Sequence, residues 1–85
     1  MENEVYMAKL RVKLTFPEEL IKEPVIYNLG KKFDIVTNIR RANVEAKVGW
    51  VVLEMEASED ALQDGLRYLD EVGVIVEQLD GGLEG

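Results

Sequence analysis

Cysteine and histidine are both missing from this 85-residue sequence. Disulfides, thiolate metal sites, haem and iron–sulfur ligation by this chain alone are therefore excluded. Catalysis also loses its commonest general base and its most nucleophilic side chain. Ser58 is the only serine, and Thr15 and Thr37 are the only threonines. Helix capping accounts for the serine, and the threonines read as strand residues. No carboxylate pair stands at a recognisable metal or glycosidase spacing, and there is no GxGxxG or Walker loop. The expectation is a protein that is not an enzyme and uses no cofactor.

Long apolar runs are missing too. Nothing approaches the roughly eighteen residues of a membrane span. The N-terminus is acidic and its apolar stretches are strand-length, so no signal peptide is visible. A cytoplasmic protein without direct membrane insertion is the expectation. Positive charge is scarce overall: net charge is −7 and the pI is near 4.5. Nucleic acid, which requires a basic footprint, is an unsuitable partner. The imbalance is local. Residues 1–47 hold 9 Lys/Arg against 7 Asp/Glu (+2), whereas residues 48–85 hold 1 against 10 (−9). Most cations thus fall on the first two strands and the first helix, where an anion could be held.

What is present is a folding composition, 47% apolar, in one domain covering residues 1–85. A chain this small buries only about 60–65% of its unfolded surface. Association would add stability, so a homodimer is expected.

Leu10, Val12, Leu14 and Phe16 alternate with Lys9, Arg11, Lys13 and Thr15, the pattern of a half-buried strand over residues 7–16. Pro17 ends it, and 18–23 is an acidic, solvated connection. Glu23-Pro24 suggests a helix start with proline at the first helical position. Val25, Ile26, Leu29 and Phe33 make its stripe, and Lys31 and Lys32 suit its C-terminal end. A second strand spans about 35–44. It leads through a turn without Asn-Gly or Asp-Gly chemistry into a third strand over 49–56. Ser58 is a good N-cap for a helix carrying Leu62, Leu66, Leu69 and Val72, with Gly73 at its C′ position. Residues 74–79 form a fourth strand, and 80–85 a Gly-rich tail expected to fray. Gly30 and Gly65 fit close helix packing.

Right-handed crossovers then place both helices on one face of an antiparallel sheet. This is an α+β, ferredoxin-like β-α-β-β-α-β sandwich with strand order 4-1-3-2, and its second face is open. Lys9, Arg11 and Lys13 fall on that face. So do Trp50, Val52, Glu54 and Glu56, together with Ile75, Glu77 and Leu79. On the second strand the alternation turns Val36, Asn38 and Arg40 outward and Ile35, Thr37 and Ile39 inward. A tryptophan and several aliphatics on an open face suggest a covered surface. Trp50 and Val52 are the candidate interface, although Trp50 could instead rest on the stems of Arg11 and Lys13.

Asn38 is the best functional candidate. It sits in Asp34-Ile35-Val36-Thr37-Asn38-Ile39 among four β-branched residues, where asparagine is disfavoured. It either bonds to backbone or water, or serves a ligand. Arg40-Arg41 is either a solvated hairpin or a carboxylate clamp.

Several segments together resemble the NIL domain, a small module named for an Asn-Ile-Leu motif. They are Leu14-Thr15-Phe16, Glu23-Pro24-Val25-Ile26, Val36-Thr37-Asn38-Ile39, Gly49-Trp50-Val51-Val52-Leu53-Glu54, Ala61-Leu62, Tyr68-Leu69 and Gly73-Val74. The likeness covers roughly residues 8–79. It implies a ferredoxin-like fold related to ACT domains, and the regulatory role that the family plays at the C-terminus of methionine-transporter ATPase subunits. It places the motif asparagine at Asn38, then Ile39, with Arg40 where the motif has leucine. The implied function is a non-catalytic sensor, free-standing and acting in trans. It would bind methionine or a related amino acid at a dimer-associated site built from Asn38, Ile39, Arg40 and Val36. The alternative is an interaction module that docks a protein partner on its open sheet face and binds nothing small.

Overall fold

The computed structural model describes residues 7–45 and 47–84, with side chains to residue 79. Four strands and two helices follow in the order β1 (Ala8–Pro17), α1 (Val25–Phe33), β2 (Val36–Val44), β3 (Val48–Ala57), α2 (Glu59–Val72) and β4 (Ile75–Glu84). The sheet order is β2-β3-β1-β4, with every neighbouring pair antiparallel. Seen from the other edge this is 4-1-3-2, the ferredoxin-like order read from the sequence.

Alternation in the central strands builds the core. Leu10, Val12, Leu14 and Phe16 of β1 and Val51, Leu53 and Met55 of β3 are buried. They pack under Val25 and Leu29 of α1 and Leu62 and Leu69 of α2. Among the described residues no polar or charged side chain is buried, so this core has no internal network to satisfy. It is held by apolar burial alone, about 25 cal/mol per Å².

The helix ends follow local chemistry. The Ser58 hydroxyl accepts the Ala61 N–H at 3.2 Å, and Glu59 and Asp60 occupy the positive end of α2. Gly73 closes α2 at φ 102° and donates back to Leu69 and Asp70. Pro24 departs from the expected position: it is the N-cap of α1, and its carbonyl accepts Asn28 N–H at 2.9 Å. Asp34 ends α1 in the left-handed conformation, φ 57° and ψ 46°.

Two segments expected to be irregular are structured. Residues Glu18–Leu20 form a turn of 3-10 helix, because Leu20 and Ile21 tuck against the core between the carboxylates. The tail expected to fray continues as β4 to Glu84. Past a register shift, its Leu83 pairs with Leu10, as Gln78 does with Val12. In the hairpin between β2 and β3, Glu45 N–H reaches Val48 O at 2.9 Å. Ala46 in that turn and the polar lead-in 1–6 lie outside the described residues. No helix among the described residues is long and apolar enough to cross a membrane.

Candidate functional site

Strand β2 lies at one edge of the sheet and pairs only with β3. None of its nine residues is buried. Its pairing begins as the alternation requires: Thr37 faces Met55, Asn38 faces Glu54 and Ile39 faces Leu53. Between Ile39 and Arg41 the register shifts, and Arg41 becomes the partner of Val52. Arg40 is thus the extra residue of a β-bulge, a device common at sheet edges. The expected same-face pair of Asn38 and Arg40 is interrupted. Arg41 takes the next open-face position after Asn38.

Cross-strand partners share a face, so the register assembles the open side in rows. One row runs Ile75–Thr15–Trp50–Asn43. The next is Glu77–Lys13–Val52–Arg41, and the third continues Arg11–Glu54–Asn38. Arg11 and Glu54 form an ion pair at 3.3 Å. Such a pair contributes at most about 1 kcal/mol at a part-exposed site. Trp50 is half-buried rather than bare. Lys13 Nζ stands 5.1 Å and Arg41 Cζ 5.9 Å from its ring centroid. Of the two residues considered from sequence, Lys13 does meet Trp50, through a cation–π contact, and Arg41 takes the place expected for Arg11. Asn38 is exposed, next to Glu54 on the neighbouring strand.

The concave feature lies on the other side. An apolar groove of about 300 Å³ opens between the start of α1 and the far half of β2. Ile39, Ala42 and Val44 form one wall; Phe16, Ile21 and Ile26 contribute to the opposite side. Element lengths explain it. Nine residues of α1 span about 13 Å at a rise of about 1.5 Å each, whereas nine residues of β2 extend about 30 Å. The helix covers only the near half of the strand. Ile39 and Val44 are consequently 56% and 66% exposed although they face the helix side.

The expected ligand set is therefore split by the pleat. Asn38 and Val36 lie on the open face, Ile39 on the groove, and Arg40 at the bulge between them. Trp50 and Val52 adjoin in neighbouring rows of the open face. Sequence reasoning named Arg41 only with Arg40, without its place on the open face, and missed most of the groove lining. The aliphatic pair Leu20-Ile21 inside an acidic loop was a legible signal for the latter.

Residues 10–78 match the NIL domain family. The methionine import ATP-binding protein MetN of Coxiella burnetii is 31% identical over 72 residues, 80% of this chain and 20% of that protein. The MetN protein of Helicobacter pylori strain J99 is 32% identical over 71 residues, 79% of this chain and 22% of that protein. The chain thus spans about a fifth of the length of these relatives. Among solved structures, the C-terminal domain of an ABC transporter ATP-binding protein from Enterococcus faecalis superposes with a TM-score of 0.73. It is 19% identical, and the superposition covers 84% of this chain and 83% of that domain. At that identity the superposition speaks for the fold.

Proposed function

The chain belongs to the NIL domain family, a family of regulatory modules distinct from an ATPase core, and we propose that it is a non-catalytic sensor of methionine or a related amino acid. The observation that carries this reading is the apolar groove with Ile39 of the motif in its wall. Its volume of about 300 Å³ is at the small end of ligand pockets, which suits a thioether or branched aliphatic tail. The relatives support methionine as the ligand class, since those named above are methionine import ATP-binding proteins.

A zwitterion needs donors for its carboxylate and acceptors for its ammonium. The Asn38 amide offers both, and Arg40 and Arg41 add cations that can clamp a carboxylate. Asn38 and Ile39 lie on opposite faces of β2, so one ligand reaches both only along the strand's free edge. A second copy closing over that edge would shield the ligand, and the proposed site is therefore dimer-associated. Val36, Val52 and Trp50 supply the apolar surface for that contact on the open side.

Calorimetry with a panel of amino acids tests the reading. Methionine should bind the wild-type chain. Asn38→Ala should cost about 1–3 kcal/mol of binding, the loss expected when a ligand charge is left unpaired. The stability of that variant should be nearly unchanged, since Asn38 is exposed. Ile39→Asp should abolish binding. If no amino acid binds the wild type, the second reading gains: an interaction module whose exposed edge and Trp50 face serve a protein partner in trans.

A further inference from the structure

The groove between α1 and β2 is apolar except at one end. Of the residues that line it, Glu23 is the only one that carries a charge, and Tyr27 is the only other with a polar side chain. The Tyr27 hydroxyl is already engaged, accepting from Lys31 Nζ at 3.2 Å. Glu18 and Glu19 of the same acidic connection do not line the groove. The main chain around Glu23 is fixed. Its N–H donates to Leu20 O at 3.1 Å, and its carbonyl accepts the Val25 N–H at 2.8 Å. That second bond closes an inverse γ-turn centred on Pro24, at φ −81° and ψ 61°. Proline also confines the residue before it to extended conformations. The side chain, by contrast, has no internal task. Among the described residues the Glu23 carboxylate makes no ion pair and no hydrogen bond, and α1 receives no side-chain cap at its N-terminus.

An apolar cleft with a single carboxylate has a chemical preference. An uncharged tail leaves the carboxylate unused, and an anionic amphiphile is repelled by it. A tail that ends in an ammonium matches both parts, and the attraction strengthens where apolar walls displace water. We propose that Glu23 is the ammonium-binding residue of the groove, so that the ligand class is an apolar primary amine, a methionine-like amino acid included. Resting on the amino-acid reading above, this role also orients the ligand. The tail lies along Ile39 and Val44, the ammonium meets Glu23, and Arg40 and the Asn38 amide are left for the carboxylate. From sequence, Glu23 read only as part of a solvated connection and a helix start.

Three ligands with one tail test the assignment by calorimetry on the full chain: methionine, methylthiopropylamine, which lacks the carboxylate, and methylthiobutanoate, which lacks the ammonium. Wild type should prefer methionine to methylthiobutanoate by about tenfold, the scale of one charge-assisted hydrogen bond. Glu23→Gln should erase that preference, weakening methionine and methylthiopropylamine in parallel and leaving methylthiobutanoate unchanged or tighter. Glu19→Gln removes the same charge outside the groove and should change none of the three. The circular dichroism spectrum should be the same for both variants, since Glu23 and Glu19 are exposed. If methionine binds and Glu23→Gln keeps the full preference, Glu23 has no such role and the sensing reading stands. Equal losses in the two variants reduce the effect to long-range charge and overturn the role as well. If methionine fails to bind while methylthiopropylamine binds through Glu23, the sensing reading falls and the amine site stands. A wild-type chain that binds none of the three overturns both.

Discussion

Replacing Asp34 by glycine should stabilise the domain by about 1 kcal/mol. Asp34 is the only non-glycine residue at positive φ among the described residues, and it occupies the left-handed region. That conformation costs an L-residue about 1–2 kcal/mol, with aspartate toward the low end because its short polar side chain tolerates it. Glycine removes this cost but adds about 0.5–1 kcal/mol of unfolded-chain entropy. The carboxylate also stands at the negative end of α1, where an anion is disfavoured by about 0.3–1 kcal/mol. Relief of strain and charge together exceed the entropy loss by about 1 kcal/mol. Urea unfolding should show a raised midpoint at unchanged slope, and the melting temperature should rise by about 4–8 °C for a domain of this size. Asp34→Asn should recover only the charge contribution, and Asp34→Val should destabilise. A glycine variant no more stable than wild type would refute the reasoning. The turn matters to function because it sets the parity of β2. Ile35 N–H bonds to Gly30 O at 3.1 Å, and from that anchored residue the alternation puts Asn38 on the open face and Ile39 on the groove.

Trp50→Lys should weaken a two-fold dimer in sedimentation at micromolar concentration, since it sets a third cation beside Lys13 and Arg41; a wild-type chain that stays monomeric at high concentration would rule the dimer out. Gly65→Val should destabilise by about 2 kcal/mol in urea unfolding. The first added carbon would already lie 2.6 Å from Ile35 Cδ1 and 3.0 Å from Leu29 Cδ1, and such overpacking typically costs about 1–3 kcal/mol.

The fold was legible where one physical rule dominates. The two-residue alternation of Leu10 to Phe16, the Ser58 cap and the Gly73 terminator each have a single cause, and each stands where it was read. Pro24 was misplaced by one position because N-cap and first helical residue both tolerate proline, and composition does not separate them. The bulge at Arg40 left no mark, since it uses no glycine and adds only one residue. That single residue moved the open-face cation from Arg40 to Arg41. The extension of β4 was hidden for a different reason: Gly81 and Gly82 suggest fraying, whereas pairing with β1 depends on a partner distant in sequence. The groove was derivable in principle. A nine-residue helix cannot cover a nine-residue strand, and the uncovered half had to expose Ile39 and Val44.

The division of labour among the strands argues for β2 as the functional element. The buried side chains of the sheet come from β1 and β3; the described side chains of the two edge strands, β2 and β4, contribute none, and β2 is the edge that also walls the groove. Substitutions in β2 should accordingly cost little stability, which leaves the strand free to be shaped by what it binds. Like β4 it is joined on one side only, and its far half has no helix above it. Local opening should begin there. A ligand or partner strand that binds only the folded edge would oppose that opening by RT ln(1 + [L]/Kd), about 2.7 kcal/mol at a hundredfold excess over Kd. Occupancy would then be reported as order in β2 rather than as movement of the core. That order is transmitted inward through its register with β3, where Glu54 faces Asn38 on one side and Arg11 on the other. Hydrogen exchange along β2 and β3, with and without ligand, should therefore respond more strongly than exchange in β1.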